Sequence, residues 1–261
     1  MAQPVAAASG FLSQGPYPTP SHPLNQWFEV IAANTPELRE KVYHLRYQVY
    51  CREKRFEAPE EHPCERERDR YDSRSLHSLV IDRTSGAATG TVRLILPDPR
   101  KPGDSFPIQH VCRRPLPPLT SNGKAAEISR FAVSKKIRNV AEQPLALVSR
   151  SGKGNQGMAA KAMKCSLTLL LMREIVRMSR ENEVTDWFAV MEPALLRLLS
   201  RFGIHFDPVG PQVEYHGLRQ PCHAKAEVLL ETMRREQFDT WKFIAEPYAL
   251  SLENRTAVGL C

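Results

Sequence analysis

Ala126-Glu127-Ile128-Ser129-Arg130-Phe131-Ala132-Val133 is the stretch on which the fold turns. It reads as a strand with Glu127, Ser129 and Phe131 on one face and Ile128, Arg130 and Ala132 on the other, because successive side chains of a strand alternate. A carboxylate and a guanidinium three residues apart in an otherwise apolar strand are costly to bury unless each has a partner. Upstream, residues 76–82 and 89–96 read as two strands joined by Thr84-Ser85-Gly86-Ala87, a hairpin signal. Downstream, residues 158–180 read as a long helix with Leu167, Leu170, Leu171, Ile175 and Met178 inward, and residues 187–191 as a further strand.

Farther out, residues 27–31 read as a short strand. Asn34-Thr35-Pro36-Glu37 starts a helix in which Leu38, Val42, Leu45 and Val49 share a face. Residues 51–74 form a charged loop, and the Pro-rich residues 97–118 read as a long surface connection. Glu192-Pro193-Ala194 opens a short helix that ends near Phe202-Gly203. Residues 212–218 read as a last strand and residues 224–244 as a final amphipathic helix, with Val228, Met233, Trp241 and Ile244 near one side. This order makes one α+β layer structure, a sheet flanked by helices, with no internal repeat.

The chain has 261 residues, with 36 Lys and Arg against 29 Asp and Glu, a formal net charge of +7. None of those charges precedes Glu29. Residues 1–25, rich in Ala, Pro, Ser and Gly, are expected to be a flexible tail, residues 26–221 the main domain, and residues 222–261 a helical extension packed on it. A hydrophobic content of 42% is that of an ordinary globular protein and argues against a fibre or disorder throughout. Residues 167–178, the most apolar run, are interrupted by Arg173, Glu174 and Arg177, which argues against a membrane span. No secretory signal is visible ahead of the N-terminal prolines, so a cytoplasmic location is expected. The six cysteines form no C-x-x-C pair and read as reduced thiols. The positive balance admits an acidic protein, nucleic acid or an anionic membrane surface as partner.

Polar residues interrupt apolar elements in four stretches: Leu45-Arg46-Tyr47-Gln48-Val49-Tyr50, Asp69-Arg70-Tyr71-Asp72, Gly90-Thr91-Val92-Arg93-Leu94 and Glu127 to Val133. In this order they resemble the signature segments of the acyl-homoserine-lactone (autoinducer) synthases and the related long-chain N-acyl amino acid synthases. Within that set the chain most resembles the acyltransferases associated with the PEP-CTERM/exosortase system. The resemblance implies a GNAT-like fold with two splayed central strands, and transfer of a fatty acyl group from acyl carrier protein to an amine. It implies no tightly bound cofactor, the donor being the acyl-phosphopantetheine of the carrier protein or acyl-CoA. Matched by motif, Arg46 and Tyr50 take the places of the family's helix Arg and aromatic, and Phe56 stands at the spacing of its Trp. Asp69 and Asp72 match the acidic pair, Arg93 the strand Arg, and Glu127 with Arg130 the last pair. Tyr50 and Phe56 replace the family's usual Phe and Trp.

The chemistry of the residues agrees with that resemblance. Aminolysis of a thioester needs a neutral amine, so a carboxylate must accept a proton from an ammonium. Glu127, on a central strand where burial would raise its pKa, is the expected base. Arg46, Asp69, Asp72, Arg93 and Arg130 are expected to organise the acceptor site, with Tyr50, Phe56, Ser129, Phe131 and Val133 as further lining. Backbone N–H groups around Phe131 to Val133 could stabilise an oxyanion. The opposing readings are a purely structural salt-bridge network for the charged set, an Arg ion pair for Glu127, and plain core packing for Tyr50 and Phe56.

The basic residues Lys135, Lys136, Arg138, Arg150, Lys153, Lys161 and Lys164 gather where the pantetheine arm would enter, so they are expected to dock the acidic carrier protein. Two readings stay open beside this one: an autoinducer synthase acting on S-adenosylmethionine, and a non-catalytic module binding carrier protein or nucleic acid. No helix-turn-helix, zinc-finger or RNP-like sequence supports nucleic acid. Gly152-Lys153-Gly154-Asn155-Gln156-Gly157 matches G-x-G-x-x-G, but the next strand-end acid, Glu192, lies too far on for a dinucleotide fingerprint. His62 and Cys64, with His44 and Cys51 nearby, lack the paired spacing of a zinc site, and no metal is expected.

Overall fold

The structure, a computed structural model, describes residues 24–117, 124–136 and 156–245, the side chains of 156–164 excepted. The short helix α1 (Leu24–Trp27) runs into β1 (Phe28–Ala32). Leu24, within the stretch expected to be tail, is buried in the main core. Helix α2 (Pro36–Tyr47) starts where Thr35 accepts a hydrogen bond from the Leu38 N–H, and Pro36 at its first position lacks only an N–H that would go unpaired there. It passes into a π-helical segment, Gln48–Glu53, in which the Lys54 N–H reaches back five residues to the Val49 carbonyl at 2.9 Å.

Strands β2 (Ser75–Asp82) and β3 (Ala88–Ile95) form the expected hairpin. A one-turn helix, α3 (Ile108–Val111), precedes β4 (Lys124–Val133). Next come α4 (Gln156–Glu181), β5 (Val184–Met191), α5 (Pro193–Ser200), the two-residue strands β6 (Asp207–Pro208) and β7 (Val213–Glu214), β8 (Leu218–Lys225), α6 (Ala226–Glu236) and α7 (Phe238–Ile244). The sheet order is β1-β2-β3-β4-β5-β8-β6, with β7 on β8. All neighbours are antiparallel except β4 and β5.

Helix α4 covers one face of the sheet and supplies more of the main core than any other element. Leu167, Leu170, Leu171 and Ile175 are fully buried there against Val80, Val92, Leu94 and Ile128, each contributing roughly 1.5–3 kcal/mol of apolar burial. Helix α2 and the π-helical segment pack on the opposite face through Val42, Leu45 and Val49 with Leu79 and Ala132.

Four expectations need correction. The last long strand is β8, not residues 212–218: Pro221 in its middle lowers its apparent strand propensity, yet Val190 pairs with Pro221 and Ala189 with Cys222. The expected domain boundary at 221/222 therefore falls inside a strand of the sheet. The final helix is two helices that break at Gln237, and Val228 is exposed, not inward. The connection over 97–118 is not confined to the surface, because Phe106 and Ile108 are buried with Tyr71, Ile95 and Phe188.

The fourth correction concerns the strand that opened the sequence reading. On β4, Ser129 pairs with Arg93 and Ala132 with Thr91, so Arg130 and Phe131 together oppose Val92 alone. This is a β-bulge, with Arg130 at φ +48. The extra residue shifts the alternation by one: Glu127, Ser129 and then Arg130 face the α2 side, while Phe131 and Val133 turn toward the main core.

Candidate active site

Glu127, the expected base, is 2% exposed and accepts one hydrogen bond, from the Ile108 N–H at 2.8 Å. Among the described residues it joins no ion pair, so the Arg-paired reading fails. Burial pushes its carboxyl up to about 7, against the lowering pull of the Ile108 N–H, Arg93 and Arg130. A carboxylic acid poised near neutrality, lining a cleft, can take a proton from an ammonium at physiological pH.

Beside it the expected charged residues converge, and a sixth joins them. Arg46 donates to Glu67 at 2.5 Å and to Asp72 at 2.7 Å. Arg93 bridges Asp69 at 2.6 Å, Asp72 at 2.7 Å and the Ser129 hydroxyl at 2.9 Å. Arg130 grips Glu67 at 2.8 Å and reaches Asp69 at 3.2 Å. The bulge makes this possible: two consecutive residues of β4 reach the same network, Ser129 accepting from Arg93 and Arg130 donating to Glu67 and Asp69. Arg46 and Arg93 are fully buried, and three guanidinium groups meet three carboxylates.

Burial alone would raise the Glu67 carboxyl, but Arg46 and Arg130 outweigh it and hold it far below the usual range. Against the same burial, Arg46 and Arg93 bring Asp72 down to about 2, and Arg93 and Arg130 lower Asp69. His77, in the same wall, is pushed down to about 4 by burial and by Arg46, so it is neutral at pH 7. The network is a rigid, charge-balanced wall; Glu127 stands beside it without belonging to it.

The cleft that Glu127, Ser129 and Arg130 line holds about 440 Å³. The β4–β5 pairing ends at Ile128 with Ala189, while β4 runs on to Val133. The two strands splay there, as the resemblance implied, and one backbone edge of residues 129–133 is left open on the β5 side. Phe131, Val133, Met191, Leu195 and Leu198 give this end an apolar lining. The π-helical segment closes the other side. The Tyr50 hydroxyl donates to the Phe131 carbonyl at 3.4 Å, and Glu53 accepts from the Ser134 hydroxyl and the Lys135 N–H, each at 2.7 Å. Burial raises the Tyr50 phenol to about 12, so it stays protonated as a donor. Tyr50 and Phe56 do line the cleft, with ring centroids 6.4 Å apart.

Several residues of the network and the cleft escaped the sequence reading. Glu67 sits in Glu65-Arg66-Glu67-Arg68, where one acid among many carries no signal. Glu57 and Glu192 also line the cleft, and Tyr215, His216 and Arg219, near the β7–β8 turn, cover it. The mix of aromatic, His, Gly and Arg in Tyr215-His216-Gly217-Leu218-Arg219 is the signal that could have found the last three. Of the expected docking residues, Lys135 lines the cleft mouth and Lys136 is exposed beside it, donating to Gln48 at 3.0 Å. Arg138, Arg150 and Lys153 lie outside the described residues, as do the side chains of Lys161 and Lys164 and the start of the Gly-rich loop at 152–155. Oxygen and nitrogen donors of Glu57, Glu61 and His62 lie within 4.8 Å of one another; with Glu61 exposed and neither Cys64 nor Cys51 joining, this falls short of a four-ligand structural zinc site.

Residues 45–147 match the family model described as the acetyltransferase (GNAT) domain. No curated protein matches the chain. Among solved structures, TofI, in a ternary complex with an inhibitor and MTA, is similar over 85% of this chain and 99% of its own at TM-score 0.56 and 17% identity. The CoA-dependent acyl-homoserine lactone synthase BjaI, with SAM and isopentyl-CoA, is similar over 80% of this chain and 88% of its own, at TM-score 0.52 and 20% identity. FeeM, an N-acyl amino acid synthase from uncultured soil microbes, is similar over 81% of this chain and 96% of its own, at TM-score 0.50 and 11% identity. Over residues 45–147 the chain is thus similar to the acetyltransferase (GNAT) domain, and its fold is the one that these solved structures share.

Proposed function

We propose that this protein is an N-acyltransferase that moves a long-chain fatty acyl group from an acyl carrier protein thioester to the amine of an amino acid or a related small amine. One observation carries the reading: a carboxyl poised near neutrality in a cleft that is apolar at one end and charged at the other. Glu127 takes a proton from the bound ammonium, and the neutral amine attacks the thioester carbonyl. The tetrahedral oxyanion forms beside the open backbone edge of residues 129–133, whose N–H groups are suited to receive it. Collapse breaks the C–S bond, leaving an amide and the carrier-protein thiol. The network of Arg46, Glu67, Asp69, Asp72, Arg93 and Arg130 holds the wall behind the acceptor, and Phe131, Val133 and α5 take the acyl chain. No tightly held cofactor enters this scheme.

The acidic carrier protein is the donor that suits Lys135 and Lys136 at the cleft mouth. The reaction is placed in the cytoplasm, where such donors occur, and no helix among the described residues is long and apolar enough to cross a membrane. The ordered motif set supports a place among the acyltransferases of the PEP-CTERM/exosortase system. Mass spectrometry of lipid extracts from cells overproducing the protein tests the reading: one N-acyl amino acid series, absent from cells making Glu127→Gln, is expected. A homoserine lactone product would assign S-adenosylmethionine as acceptor, and no new N-acyl species would refute the reading.

A further inference from the structure

Resting on that reading, the geometry points to Arg219 as the residue that receives a carboxylate carried by the acceptor next to its amine. The cleft is lined by four cations and four acids, and most of them are already engaged. Arg130 is held by Glu67 and Asp69. Lys54 is bonded to Glu192 at 2.7 Å, and Lys135 reaches the Glu53 carbonyl while its N–H bonds the Glu53 carboxylate. Two groups are held least: Glu127, which joins no ion pair among the described residues, and Arg219, whose one ion pair is long. The nearest carboxylate to Arg219 is Glu192 at 3.9 Å, whose same oxygen Lys54 already takes. Glu57 is engaged as well, 3.8 Å from the Arg130 guanidinium and 3.5 Å from the His216 ring. A loosely held cation and an unpaired acid that line one cleft complement a zwitterion, with ammonium toward Glu127 and carboxylate toward Arg219.

Arg219 is also pre-organised for this task. It is 8% exposed, its guanidinium lies over the Phe56 ring at 4.5 Å, and it donates once, to the Leu218 carbonyl at 3.0 Å. A planar fork stacked on an aromatic ring presents its remaining N–H groups in the geometry that a carboxylate accepts bidentately. Tyr215, in the turn just before β8, lines the same cleft as Glu127, and its phenol, raised chiefly by burial, also feels Arg130, Glu127 and Asp69.

The test uses the full chain with hexadecanoyl-loaded acyl carrier protein and records thiol release with an equimolar mixture of the protein amino acids, then with a mixture of their methyl esters. The quantity read is the ratio of the free-acid rate to the ester rate at subsaturating acceptor. In Arg219→Gln this ratio should fall about 10- to 100-fold below that of the unsubstituted protein, the usual worth of a charge-assisted hydrogen-bond pair. Arg219→Lys, which keeps the charge and loses the fork, should lie between. An unchanged ratio in both variants, or a loss expressed only in the KM for the carrier protein, overturns the assignment and leaves the acyltransferase reading standing. Absence of amine-dependent thiol release with either mixture defeats the underlying reading itself.

Discussion

At the scale of single residues, Glu127 differs from its neighbours in having been left unpaired. Three carboxylates within the same wall are held ionised by guanidinium groups, while Glu127 has one backbone N–H and a pKa raised to about 7. If that difference serves catalysis, Glu127→Gln should lower kcat/KM by about 10²–10⁴-fold, measured as thiol release. Stability should change in the opposite direction. A carboxyl whose folded pKa lies above its unfolded value of 4.5 keeps its proton longer in the folded state, so stability falls as pH rises from about 4.5 to 7. Glu127→Gln removes that loss and still accepts from Ile108, so at pH 8 it should be more stable than the unsubstituted protein by on the order of 1–3 kcal/mol, read from denaturant midpoints. Glu67→Gln should do the reverse at neutral pH, costing about 3 kcal/mol, because it leaves Arg46 and Arg130 short of a buried partner.

Three elements bring these residues together, and they differ in how far the sequence discloses them. Helix α2 and the β2–β3 hairpin follow from capping, periodicity and turn chemistry, so Arg46 and Arg93 could be placed by reading alone. The bulge in β4 could not: a period of two assigns Arg130 to the face opposite Ser129, and only the pairing of Thr91 with Ala132 and Arg93 with Ser129 reveals the extra residue. Strand β8 was hidden by Pro221, and with it the reason why Arg219 lies in the cleft. The three-residue turn between β7 and β8 rests on positive φ at His216 (+51°) and Gly217 (+91°). A Cβ on Gly217 would come within 3.1 Å of Arg219 Nη1. Gly217→Ala should therefore raise the KM for the acceptor and cost about 1–2 kcal/mol in thermal unfolding; an acceptor KM equal to that of the unsubstituted protein would show that the turn does not position Arg219.

Over the whole molecule, the +7 balance divides into a part that is internal and a part that is available to partners. Arg46, Arg93 and Arg130 cancel against Glu67, Asp69 and Asp72, so the buried network contributes nothing to the excess. It does govern acid stability. Asp72, depressed to about 2, contributes stability that is complete above its ordinary value of 3.8 and is lost as pH falls toward 2, with Glu67 and Asp69 acting in the same direction. Acid unfolding followed by near-UV circular dichroism should accordingly fall between about pH 4 and 2. At the cleft mouth, Lys136→Glu should raise the KM for acyl carrier protein more than that for acyl-CoA, with the difference shrinking as salt is added. The central claim is amide formation with Glu127 as base, and the pH dependence of amine-dependent thiol release by the purified protein tests it most directly. The account predicts an amide product and a kcat/KM that rises with pH through an apparent pKa near 7, a rise that Glu127→Gln abolishes; thiol release that needs no amine, or a pH profile unchanged in Glu127→Gln, would contradict it.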